Sequence, residues 1–416
     1  MSTENKGSFS GKRFAANSAI VLSFIVALEF VMMISPFAMV FYAALNPFLL
    51  ALNQSAATRW LTAFFLPHMV VPPDAFLKAL RVSGSVAFLG GTFVFLVCAT
   101  QVYAGKLIRP GVARGGLYRL IRHPQYVGLA LAAWGLAVMW PRFLTLTLFA
   151  VMLFLYFLLA RDEERRMLNR FGESYQRYMS RTGMFLPRAV ERALGASDQP
   201  KPPLTPARAA AIFLGLMLVC VGSGFLLRAY TVRHLPLTQV GNMDVIAITS
   251  GDLAEAKDLL PSVLADPAVA SKLRSVRPQP GHRLLAYFIP IDYVMQGMIA
   301  DTGPEWKLFE HHKTFRMIAE YILHPFAHLT GGHHPSMAMT HHDASMYNSP
   351  MMKRRVIFLD ISREKGPVRS AADEFGINIQ RTPLFFVDVH LHTGEVLDVQ
   401  DLAGGSGWGK VPTPMF

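Results

Sequence analysis

Charge and cysteine are both scarce in this chain of 416 residues, of which 16% are charged and two are cysteines. A soluble protein of this length is normally about a quarter charged. The shortfall is local, because apolar runs too long for ordinary core helices fill the first 230 residues and the remainder reads as soluble sequence. Cys98 and Cys220 each sit inside an apolar run, which excludes a disulfide framework, a zinc knuckle and a CxxC redox pair. A cleavable signal peptide is not expected either. The first apolar run, Ser18–Leu45, is too long for a signal segment and has no convincing small-residue cleavage site, so a retained anchor is expected.

Positive charge is plentiful: the formal net charge is +12 and the pI about 9.8. The cations crowd the ends of apolar segments, as membrane proteins arrange them, so the expected partner is the lipid bilayer and not nucleic acid. A helix needs roughly 20 apolar residues to cross a bilayer. About five spans are expected, at residues 18–45, 82–103, 126–140, 143–160 and 209–227, the third and fourth forming a hairpin around Pro141 and Arg142. Glu29, inside the first span, is a functional suspect or a protonated packing residue. Leu61–Val71 (LTAFFLPHMVV) is too short to cross and is expected at the membrane interface. Arginines gather after the second and fourth spans, so these loops and the N-terminus are assigned to the cytoplasm. Five spans then leave the tail periplasmic, in a bacterial inner (plasma) membrane. The expected fold class is an α-helical polytopic membrane domain, residues 1–230, followed by a soluble α/β domain, residues 231–416.

The densest motif is GLYRLIRHPQYVG, Gly116–Gly128, followed after the hairpin by ARDEERRMLNRFGESYQRYMSRTGMFLP, Ala160–Pro187. This ordered set, over roughly residues 82–187, resembles the isoprenylcysteine carboxyl methyltransferase-like and phospholipid methyltransferase-like integral-membrane methyltransferases. The resemblance implies S-adenosyl-L-methionine as donor, held by Tyr118, Arg122, His123, Pro124, Tyr126, Glu163 and Glu164. Arg122 would pair with the donor's carboxylate. Glu163 and Glu164 would accept hydrogen bonds from its ammonium or ribose hydroxyls, and Tyr118 and Tyr126 would offer aromatic faces to adenine or sulfonium. His123 and Pro124 would set the turn into the third span. FGESYQRYM is expected as an interfacial helix with Tyr175 and Tyr178 at headgroup level. Methyl transfer is an in-line displacement in which positioning supplies much of the rate, so no catalytic base is assigned.

The tail alternates strand-like runs with helix-like ones, which argues for a layered α/β domain. Met243–Thr249, Arg283–Ile289, RRVIFLD, TPLFFVDV and GEVLDV are expected as strands, and Ala254–Leu273, Glu305–Ile322 and Ser370–Phe375 as helices. Arg354–Val399 resembles the second half of a thioredoxin fold without its CxxC, with Pro383 at the loop where that fold keeps a cis proline. A His/Met-rich insertion, residues 324–352, offers His333, His334, His341, His342, Met337 and Met339 as ligands for copper or another transition metal. A flexible polar spacer is the competing reading.

The leading function is therefore a membrane-embedded, S-adenosylmethionine-dependent methyltransferase with a lipophilic or membrane-presented acceptor at the cytoplasmic face. A protein partner could dock on the C-terminal domain. Two alternatives stay open: a non-enzymatic, membrane-anchored metal-handling or assembly protein, and a sterol-reductase-like enzyme using NADPH.

Overall fold

The computed structural model describes residues 48–108, 115–195, 204–276, 279–293, 296, 299–300, 350–364 and 366–402. The first expected span with Glu29, the expected helix Glu305–Ile322 and the histidines and methionines proposed as metal ligands lie outside these residues. Among the described residues, no group of three or more metal-ligating side chains is assembled.

A one-turn helix α1 (Arg59–Thr62) precedes α2 (Ala75–Ile108), α3 (Pro124–Met139), α4 (Phe143–Phe171), α5 (Glu173–Arg181), α6 (Arg188–Ala193) and α7 (Pro206–Val232). Three of these, α2, α4 and α7, are long and apolar enough to cross a membrane. α3 is shorter, and its 16 residues reach about 24 Å at the α-helical rise. α4 continues well past Ala160, so the paired glutamates ride on the helix that was expected to end before them. Gly172, at φ 50°, breaks the chain between α4 and α5.

The described chain packs as two units. The first holds residues 79–141 and 145–224. Here α2 and α3 meet through glycines. A Cβ on Gly91 would lie 2.4 Å from Ala132 N, and one on Gly135 would lie 2.5 Å from Gly84 O. Such close backbone approach is how apolar helices associate when lipid removes the hydrophobic drive between them. Val86, Leu89 and Phe93 of α2 and Leu214, Leu218 and Leu226 of α7 are exposed, as side chains facing lipid would be.

The second unit holds residues 48–78, 142–144 and the chain from Phe225 onward. Its sheet contains β1 (Leu237–Val240), β2 (Met243–Ala247), β3 (Arg283–Pro290), β4 (Lys353–Arg363), β5 (Ile379–His390) and β6 (Val396–Asp401), in sequential order. Among the described strands, β2 and β3 pair parallel, joined through α8 (Ser250–Ala265) and α9 (Pro267–Ser275), and the other neighbours pair antiparallel. The run Ala254–Leu273 is thus two helices, divided where Asp266 caps Pro267. Leu260, Val263 and Val269 of these helices pack on Val245, Phe288, Phe358 and Phe385 of the sheet. A further short helix, α10 (Ala371–Glu374), opens on a Ser370–Asp373 capping box.

Two expectations are corrected here. β4 is antiparallel to β3 and pairs directly with β5, so the tail is a βαβ unit followed by an antiparallel meander, not a thioredoxin-like half. Pro383 sits inside the β4–β5 ladder opposite Leu359, beside a register shift at Phe358/Leu359, instead of in a loop. Proline has no N–H to give a ladder, and a bulge absorbs the defect. Secondly, Leu61–Val71, expected at the membrane interface, is covered by protein in the second unit's interior. Phe64, Phe65 and Val70 are buried, and Val71 N–H donates to Ile248 O at 2.8 Å. Arg228 donates to the carbonyls of Phe64 and Phe375, and Arg142 to that of Thr62 while lying 4.2 Å from the Phe64 ring.

Candidate active site

All seven donor-binding candidates fall in the first unit, on two short stretches that the fold brings together. The first is the 3-10 turn Gly116–Arg119 and the residues leading into α3. Gly116, at φ 56°, opens it. Ile121 then pairs with Gly183 as an isolated parallel bridge. Arg122 N–H donates to Gly183 O at 2.8 Å, and His123 N–H to Met184 O at 3.1 Å. His123 is the N-cap of α3, and Pro124 fills the first helical position, where no N–H is needed. The second stretch is the part of α4 carrying Glu163 and Glu164.

Arg122 Nε meets Glu164 Oε1 at 2.5 Å, and both side chains are buried. Arg122 Nη1 donates to the carbonyls of Thr182 and Met179. Its Nη2 carries no hydrogen bond to a described residue. His123 lies between the two glutamates, Nδ1 3.3 Å from Glu163 Oε2 and Nε2 3.6 Å from Glu164 Oε1. Neither buried ring nitrogen completes a well-formed hydrogen bond. Burial disfavours the imidazolium, but contacts and charge from Glu163 and Glu164 outweigh it and hold the His123 pKa above its ordinary value.

Tyr126 donates its hydroxyl to Glu163 Oε1 at 3.0 Å. Its ring stacks between His123, at 5.5 Å, and Tyr156, at 5.0 Å. Glu163 is the open member of the group, with 37% of its side chain exposed. Tyr118 is 4% exposed, and its hydroxyl donates to Gln125 Oε1 at 3.0 Å. Burial pushes its phenol pKa up. Tyr175 is buried, and the hydroxyl of half-buried Tyr178 donates to Tyr118 O at 2.6 Å, so both pack against the protein.

Residues 76–174 match the phospholipid methyltransferase family. This segment is phospholipid methyltransferase-like. It spans the Gly116–Gly128 motif and the glutamate pair. Methanethiol S-methyltransferase 2 of Bradyrhizobium diazoefficiens is 35% identical over 134 residues, which is 32% of this chain and 44% of the relative. Methanethiol S-methyltransferase of a Pseudomonas species is 37% identical over 81 residues, 19% of this chain and 30% of the relative. The chain therefore spans under half the length of these curated relatives. No solved structure matches it.

Sequence reasoning missed the partners that hold the candidate site in shape. Gly183 and Met184 supply the bridging carbonyls, and Tyr156 extends the aromatic stack. The spacing of Tyr156 and Glu163 on α4, two helical turns apart, carried that last signal.

Proposed function

We propose that the first unit is a membrane-embedded methyltransferase that uses S-adenosylmethionine and acts on a lipophilic or membrane-presented acceptor. The observation that carries this reading is the Arg122–His123–Glu163–Glu164–Tyr126 cluster in a segment with methyltransferase relatives. Its free valences suit a zwitterionic, cationic ligand. Glu163 offers a part-exposed carboxylate to an ammonium or to ribose hydroxyls, and Arg122 Nη2 offers a donor to a carboxylate. Tyr126, stacked between His123 and Tyr156, holds Glu163 in place through its hydroxyl. When bound, S-adenosylmethionine supplies an electrophilic methyl group on a sulfonium. The chain's part is to bind and orient it: Glu164 fixes Arg122, Arg122 and His123 fix the turn before α3, and Glu163 faces the ligand.

A small thiol is the first acceptor to test, because the relatives' names specify methanethiol. The cytoplasmic side is assigned to this site by the arginines around it, and the periplasm of an inner membrane to the tail. Transfer of labelled methyl from S-adenosylmethionine by the detergent-purified chain, to an alkanethiol or to phospholipid vesicles in separate reactions, tests the proposal. Transfer to neither, with binding of NADPH instead, would overturn it.

A further inference from the structure

The turn that receives Arg122 and His123 is itself held by one carboxylate that lies beyond the matched family segment. Glu191 Oε1 accepts the backbone N–H groups of Met184 at 2.6 Å, Phe185 at 3.1 Å and Leu186 at 3.4 Å. Its Oε2 lies 3.5 Å from Arg188 Nη1, and its side chain is 14% exposed. Three successive N–H groups converging on one oxygen form an anion-binding concavity, here filled by the chain's own side chain. The turn is too tight for any residue but glycine at 183. A Cβ there would lie 1.7 Å from Leu186 O and 2.9 Å from Glu191 Cδ.

The other side of the same turn faces the site. Thr182 O and Gly183 O receive Arg122 side chain and backbone, and Met184 O receives His123 N–H. The Phe185 ring lies 5.9 Å from the His123 ring. Resting on the donor-binding role given above to Arg122 and His123, we infer that Glu191 is a positioning residue for the cofactor. By clamping Met184–Leu186 it sets where Arg122 and His123 stand between Glu163 and Glu164, without touching the ligand.

The test uses the full chain in detergent and three forms: wild type, Glu191→Ala and Glu191→Gln. A glutamine oxygen can still accept the three N–H groups, whereas alanine leaves part-buried donors unpaired. S-Adenosylmethionine affinity is measured by calorimetry across a pH series. Glu191→Ala should bind about tenfold more weakly. The alkaline pH at which its binding fades should also fall, because a displaced His123 loses the glutamates that keep it charged. Glu191→Gln should restore both affinity and pH midpoint, which a general loss of fold would not allow. No binding by the wild-type chain overturns the cofactor reading and this inference with it. Wild-type binding matched by Glu191→Ala in affinity and midpoint, or no rescue by Glu191→Gln, overturns the inference alone.

Discussion

Arg122 and Glu164 form a buried ion pair at 2.5 Å between the turn that enters α3 and the far part of α4. The guanidinium is further tied to the carbonyls of Thr182 and Met179, so three segments hang on one side chain. Removing one partner of such a pair strands a charge where water cannot reach it. Glu164→Ala should destabilise the folded chain by about 3–5 kcal/mol. Thermal unfolding in detergent checks this, and an unchanged melting temperature would show the pair to be dispensable.

His123 yields a pH prediction. Its folded pKa is raised, so its stabilising contribution is fully present below the ordinary histidine value and is lost as pH rises through the folded value. Stability should therefore fall on the alkaline side, and His123→Gln should flatten that limb. Melting temperatures from pH 6 to pH 9, roughly spanning the window, make the comparison.

The helix contact in the first unit gives a paired test. A Cβ on Gly91 meets Ala132 N at 2.4 Å, while Gly90 has nothing within 4 Å. Gly91→Val should lose about 1–3 kcal/mol through overpacking, and Gly90→Ala should be neutral. Equal behaviour of the two would deny that α2 and α3 meet through backbone at Gly91.

A buried carboxyl in the tail makes the fourth case. Glu374 is fully buried, its Oε1 2.6 Å from Arg283 Nε, and Arg283 also bonds Asp244. Burial first, then the neighbouring Asp244, push its pKa up to about 8 against the pull of Arg283. Arg381 donates to Glu374 O, Arg228 to Phe375 O and Arg363 to Asp373. A carboxyl with raised folded pKa is no burden below its unfolded value and weakens the fold as pH climbs toward 8. Glutamine mimics the protonated acid. Glu374→Gln should raise stability at pH 8 by about 1–3 kcal/mol and leave it unchanged near pH 4. A loss at pH 8 would mean that the side chain is ionised in the folded protein.

The parts of this fold that were legible in the sequence are the local ones. The order Gly116–Gly128 then Glu163–Glu164 marked the residues that the fold gathers into the candidate site, and the alternation of apolar runs marked each described tail strand except β1, whose four residues, LTQV, are too short and too polar to stand out. Non-local partners were not legible. That Arg122 meets Glu164 instead of leaving all its donors to a ligand depends on the Ile121–Gly183 bridge, which no spacing announces. The thioredoxin-like reading failed for the same reason: strand, helix and hairpin appear in the expected order, but adjacency and direction are set by pairing between distant strands. Leu61–Val71 was legible as apolar and uncrossing, yet its destination was decided by Ile248, Arg228 and Arg142, remote in the chain.

The central claim is that the cluster around Glu163 binds S-adenosylmethionine. Calorimetric titration of the detergent-purified chain, with Glu163→Ala in parallel, tests it most directly. The account predicts binding by the wild-type chain and at least about tenfold weaker binding when the carboxylate is removed. No heat of binding from the wild-type chain, or identical affinity for the two proteins, would contradict it.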